Sequence, residues 1–238
     1  MLWQILFVRC FRAQPDIAAA ALLVAAVWLI YSADRMLDAW RGSVNRPRHE
    51  FCRLHWRALL PVWGAVFASA TCLSWFVLPS VLFARGMGLL AAVAVYLVAV
   101  HTAPPWFRRF WPKEAMVGVL FALGASVAAW NHVRSVADIL TVLLFSCLCW
   151  INCIAIEQWE TGEGHWPVGI AAACIALAAI LFLSRDRPIL ASAESASALA
   201  FVFLDRGRPR LSLDAQRVLA DAALLSPIVF LPISWLIR

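Results

Sequence analysis

The sequence predicts an all-α polytopic membrane protein, a bundle of about eight to nine transmembrane helices. Three observations carry that prediction. The 238 residues are 63% hydrophobic and only 14% charged, where a soluble domain carries about 25% charged residues. Mean hydropathy is +0.80. Long apolar runs recur with short polar punctuation between them, and no segment is polar enough to form a soluble domain, so residues 1–238 read as a single transmembrane helical domain.

Taken in order, residues 1–13 form a short N-terminal piece. Its apolar part is too short to span a bilayer, which takes about 20 residues. Its arginines, Arg9 and Arg12, follow the apolar part, so it does not read as a signal peptide. It is expected as an interfacial helix or the remnant of a spanning one. Spans are then expected at 16–36, 55–78, 80–101, 114–130, 136–157, 166–183, 189–204 and 214–236. Pro79-Ser80 makes a tight turn between the second and third. The span 189–204 is the weakest by composition, because it carries Ser192, Glu194, Ser195 and Ser197. Ala, Gly and Ser are frequent throughout, which suits close helix packing in lipid.

The net charge of +6 comes almost wholly from arginine. Basic residues collect in loops, as expected for membrane topology and lipid headgroups and not for nucleic acid. One side holds six arginines within 35–57, then Arg108, Arg109 and Lys113, then Arg206, Arg208, Arg210 and Arg217. The other holds seven basic residues, Arg9 and Arg12 among them. The richer side is assigned to the cytoplasm. The seven cysteines lack metal-site or disulfide spacing and read as small apolar residues; the five histidines are scattered near loops.

Two acidic pairs break this pattern. Asp34 and Asp38 follow the apolar run Ile17–Ile30. At i and i+4 of a continuing helix they share a face, roughly 6 Å apart at Cβ. Adjacent carboxylates repel, and a divalent cation between them removes the conflict. Mg²⁺ typically takes one or two carboxylates plus phosphate oxygens. Arg41, Arg46 and Arg48 follow at once. The alternative is a helix end with Asp34–Arg35 and Asp38–Arg41 surface pairs. The second pair, Glu157 and Glu160, closes the span 136–157 in a loop segment without a basic residue, on the same expected side. It would complete a metal–diphosphate clamp, or pair with the arginines of 35–57.

Together these stretches resemble the UbiA-type intramembrane prenyltransferases. The family's first motif runs Asn-Asp-x-x-Asp-x-x-x-Asp with Arg-Pro downstream. Here Asp34-Arg-Met-Leu-Asp38 matches its last two aspartates and Asn45-Arg46-Pro47 the downstream element. Ile30 and Tyr31 stand where the family has Asn-Asp. Pro104-Pro105-Trp106-Phe107-Arg108-Arg109 is similar to the family's middle loop, and Met116–Gly124 to the helix opening after it. The second aspartate-rich motif falls on Asn152 to Glu160, with glutamates in place of aspartates.

The resemblance implies a Mg²⁺-dependent transfer of a prenyl group from a polyprenyl diphosphate to an aromatic or other lipophilic acceptor. It implies metal binding by Asp34, Asp38, Glu157 and Glu160, with Asp34 and Asp38 essential to catalysis. Arg46, Arg108, Arg109 and Lys113 would bind the diphosphate, and Asn152 and Tyr31 would stand close by. Trp28, Tyr31, Trp150 and Trp159 could face the carbocation, or form an interfacial aromatic belt. The expected setting is a bacterial inner membrane, multi-pass, with the acidic motifs on the cytoplasmic side. The alternative function is a catalytically degenerate relative that binds an isoprenoid or quinone-like lipid, or a structural membrane subunit.

Overall fold

The computed structural model describes residues 1–41, 47–102, 113–162 and 166–236; within these, side chains at 38–41, 47–53 and 101 are left aside. Every regular element among the described residues is a helix. The chain divides into two compact units, Asp16–Val98 and Leu2–Pro15 with Ala99–Arg238.

The first unit holds α2 (Ile17–Arg41), α3 (Pro47–Val77) and α4 (Ser80–Thr102). Asp16 starts α2 as an N-cap, its Oδ1 accepting from the Ala19 amide at 3.1 Å. The helix then runs without interruption through the apolar stretch and past Asp34 and Asp38. α2 and α3 pack together, with Trp63 Nε1 donating to the Leu29 carbonyl at 3.0 Å. Pro79 separates α3 from α4, and its carbonyl accepts from the Phe83 amide to open α4. Trp75 meets Phe83 edge-on across that turn, ring centroids 5.6 Å apart.

The second unit holds α1 (Leu2–Cys10), α5 (Lys113–Ser126) with a 3-10 extension to His132, α6 (Val136–Thr161), α7 (Val168–Leu183), α8 (Pro188–Gly207), α9 (Leu213–Ala223) and α10 (Pro227–Leu236). The short N-terminal piece is a core helix here. Trp3, Leu6, Phe7 and Val8 are buried in one apolar cluster with Ala122, Phe145 and Leu190, and Trp3 Nε1 donates to the Leu224 carbonyl at 2.8 Å. Arg9 stacks on Trp235 at 3.7 Å. Burial pushes the Cys10 thiol up to about 11.

Small residues let α5 lie against α6. A Cβ on Gly118 would come within 2.7 Å of the Ser146 carbonyl oxygen, and Ala122, Ala125 and Ser126 continue the stripe one and two turns on. Ser135 and Asp138 form a reciprocal capping box at the start of α6, and Arg187 adds an ion pair to Asp138 at 2.6 Å. Gly162, at φ +68°, ends the helix in the left-handed conformation that favours glycine. α7 and α8 form a closely packed pair. Asp205 near the end of α8 accepts from the Gly169 amide at 3.0 Å, satisfying a donor at the start of α7.

Among the described residues seven helical stretches are long and apolar enough to cross a membrane: 17–37, 54–77, 80–100, 113–132, 136–161, 188–210 and 213–236. The remaining expected span, 166–183, is the apolar helix Val168–Leu183, with 16 residues, roughly 24 Å at 1.5 Å per residue. The protein is therefore a multi-pass helical membrane protein. The expected span 214–236 is two helices, because Pro227 has no amide hydrogen to continue α9 and instead opens α10.

Candidate functional site

Asp34 is half-buried on α2, one turn before Asp38 on the same continuous helix. Arg35 lies over the Tyr31 ring at 4.9 Å, and the Tyr31 side chain is exposed. The Asp38 side chain, Arg46, Arg108 and Arg109 lie outside what the structure describes. Lys113 is the first residue of α5, exposed, with Nζ 4.0 Å from Glu114 Oε1.

The second acidic stretch has a definite partner. The Glu160 side chain is 3% exposed and its Oε1 lies 2.7 Å from Arg217 Nε. Arg217 also contacts Asp214 at 3.2 Å. Glu157 is half-buried on the same end of α6. Eight residues before Glu160, Asn152 Nδ2 donates to Asp221 Oδ1 at 3.1 Å. Asn152 Oδ1 is enclosed and has no hydrogen-bond partner. Cys153 lies within electrostatic reach of Glu114, Asp221 and Lys113. The result is a polar seam between the C-terminal part of α6 and the length of α9, with the first turn of α5 beside it.

The seam is legible in α9 only after its position is known. Asp214, Arg217 and Asp221 stand at i, i+3 and i+7, which places them on one face of that helix. Sequence reasoning assigned Arg217 to topology and missed it, with Glu114 and Asp214, as a site residue. The expected partners of the glutamates were a metal or the arginines of 35–57; the partner of Glu160 is Arg217.

Beside the seam, Trp150 and Trp166 meet edge-on at 5.5 Å and line an apolar groove of about 200 Å³ with Cys147, Ile154, Ala171 and Ile175. Trp159 is buried in the core, and Trp28 is exposed on α2.

Fit to Mg²⁺ differs between the two acidic pairs. Asp34 and Asp38 stand one turn apart on one unbroken helix, a spacing compatible with an ion that takes one or two carboxylates and leaves its remaining positions to water and phosphate oxygens. Glu160 does not fit, because a guanidinium already occupies its carboxylate. Among the described residues no three His, Cys, Asp or Glu side chains converge as a metal site. Comparison with known proteins returns no matching family model, no matching curated protein and no matching solved structure.

Proposed function

We propose that the chain is a UbiA-like intramembrane prenyltransferase, moving a prenyl group from a polyprenyl diphosphate to an aromatic or other lipophilic acceptor. The observation that supports this reading is α2 itself. An apolar span continues as one helix into two carboxylates a turn apart, and such groups at the end of a membrane helix are functional candidates by default.

In this reading Asp34 and Asp38 hold Mg²⁺, which when bound neutralises charge on the diphosphate leaving group. Lys113, with Arg46, Arg108 and Arg109, anchors the phosphate oxygens; a guanidinium can do so through two parallel hydrogen bonds. The apolar helices keep water from the reactive prenyl group. Trp150 and Trp166 offer aromatic faces along the groove beside the seam. The setting is a bacterial inner membrane with the acidic stretches facing the cytoplasm.

A second reading has its own observation. The Glu160–Arg217 pair closes the second acidic stretch, which favours a relative that binds an isoprenoid lipid without chemistry. One assay separates the two. The purified protein is given prenyl diphosphates of several lengths with Mg²⁺ and lipophilic acceptors. The transferase reading expects Mg²⁺-dependent diphosphate release that is lost in Asp34→Asn. Binding of a prenyl lipid that is indifferent to Mg²⁺ and to Asp34→Asn, without release, sinks the enzyme and leaves the lipid binder.

A further inference from the structure

Glu194 lies apart from the acidic seam, in the middle of α8. It is fully buried, and neither Oε1 nor Oε2 has a hydrogen-bond partner. Its neighbours along the helix belong to apolar core in three directions. Ala191 packs with Ala179 and Leu183, Leu190 and Ala193 with Phe145, and Ala198 with Leu148 and Ala176. The nearby serines are satisfied: Ser195 Oγ donates to the Ala176 carbonyl at 3.3 Å and Ser197 Oγ to Ser226 Oγ at 2.8 Å.

Among the described residues no cation is paired with the carboxyl. The helices packed against α8 are α1, α6, α7, α9 and α10. On α6, Asp138 is paired with Arg187 and Glu160 with Arg217, while Glu157 and Cys153 stand at the seam end. Cys149 is buried with the α1 cluster. On α9, Asp214 contacts Arg217 and Asp221 accepts from Asn152. On α1, Arg9 is stacked on Trp235 and Cys10 borders the α1 cluster. α7 brings only the exposed Cys174, and α10 has no ionisable side chain. The Cys147 thiol of α6 lies within electrostatic reach of Glu194.

A carboxylate in such surroundings needs a cation or hydrogen-bond donors, and among the described residues neither Glu194 oxygen has a partner. The uncharged acid is the form this packing accommodates. We propose that Glu194 is a reversible proton-binding site in the membrane interior, and that losing the proton loosens the packing of α8 against α6 and α7. The ligand is a single proton, and the site is independent of the prenyl-transfer reading. Ionisation obliges the carboxylate to find donors, so α8 shifts until water or a polar group reaches it. Cys147 is placed to report that shift: it is half-buried, lies within reach of Glu194 and lines the groove between α6 and α7.

The test uses the full chain in lipid vesicles, wild type beside Glu194→Gln. Cys147 is labelled with a membrane-permeant maleimide from mildly acidic to alkaline pH, and peptide mass spectrometry separates it from the other cysteines. Thiol reactivity rises with pH in both proteins, so the readout is the ratio of the two labelling rates. The proposal expects the wild-type to variant ratio to climb several-fold with pH, because glutamine cannot ionise. A flat ratio overturns it and leaves a static buried acid. Should Glu194→Gln fail to insert, a lipid-soluble carbodiimide on the wild type reads the same point. An adduct mapped to Glu194 that declines as pH rises supports the proposal; no adduct at any pH overturns it.

Discussion

The two units solve the problem of packing in lipid differently. Along the spans of α2, α3 and α4, 11%, 0% and 6% of residues are buried within the protein; along α5, α6, α8 and the α9–α10 stretch the shares are 33%, 33%, 50% and 22%. Lipid tails are as apolar as leucine, so helices gain little by hiding apolar surface from them. The first unit accordingly exposes apolar side chains, and among its described residues α2 meets α3 through the Trp63 indole hydrogen bond and small-residue contact. The second unit buries polar groups and satisfies several of them, through the Ser135–Asp138 box, the Asp138–Arg187 pair and the Asp205 contact with α7, while Glu194 stays without a hydrogen-bond partner. It also brings α5 and α6 to backbone contact at Gly118.

Substitutions can break or sharpen this contrast. The largest expected effect is Asp138→Ala. It removes the cap of α6 and leaves Arg187 without its carboxylate, at a cost of about 3 kcal/mol. Thermal unfolding in detergent measures it, and a loss below that of an ordinary surface change would show the pair to be idle. Next comes Gly118→Ala, where the added methyl meets the Ser146 carbonyl and the Trp150 amide of α6; overpacking there costs about 2 kcal/mol. Trp63→Phe keeps an aromatic ring beside Phe67 but removes the bond to Leu29 and part of the indole's packing, a loss of about 1 kcal/mol for the bond seen as faster digestion of the α2–α3 pair. The smallest change has the opposite sign. Gly64 has nothing within 4 Å of a Cβ position, so Gly64→Ala in the middle of α3 should stabilise by about 0.5 kcal/mol. Equal effects at Gly64 and Gly118 would erase the distinction between the units.

Much of the first unit was legible because length and punctuation define lipid-facing spans: Pro79-Ser80 does mark the turn between α3 and α4, and the expected limits lie close to those of the apolar stretches 17–37, 54–77 and 80–100, although α2 itself runs on to Arg41 and α3 begins at Pro47. The second unit was less legible for the same physical reason. Ser195, Glu194 and Ser197 made 189–204 look like a weak span, yet its share of buried residues is the largest. Hydropathy scores a side chain against lipid and cannot see a partner helix. The eleven apolar-leading residues at the chain's start read as too short for a span, and nothing local says that Trp3 fits against Phe145. Asp34 and Asp38 stood out because their spacing is contained within one helix. Arg217 did not, since its contact with Glu160 joins distant parts of the sequence. Arg46, Arg108 and Arg109 belong to stretches the structure does not describe.

The bond from Trp3 to Leu224 spans 221 positions of sequence, and it sets a timetable. α1 leaves the ribosome long before the segment that will receive it. During most of synthesis its tryptophan and phenylalanines therefore have no permanent site, and long-range closures of this kind are slow. The assembled unit becomes whole only when the α9–α10 break emerges. A protein arrested before Leu224 should thus carry a loose α1, open to proteases and chaperones, and the finished protein a protected one.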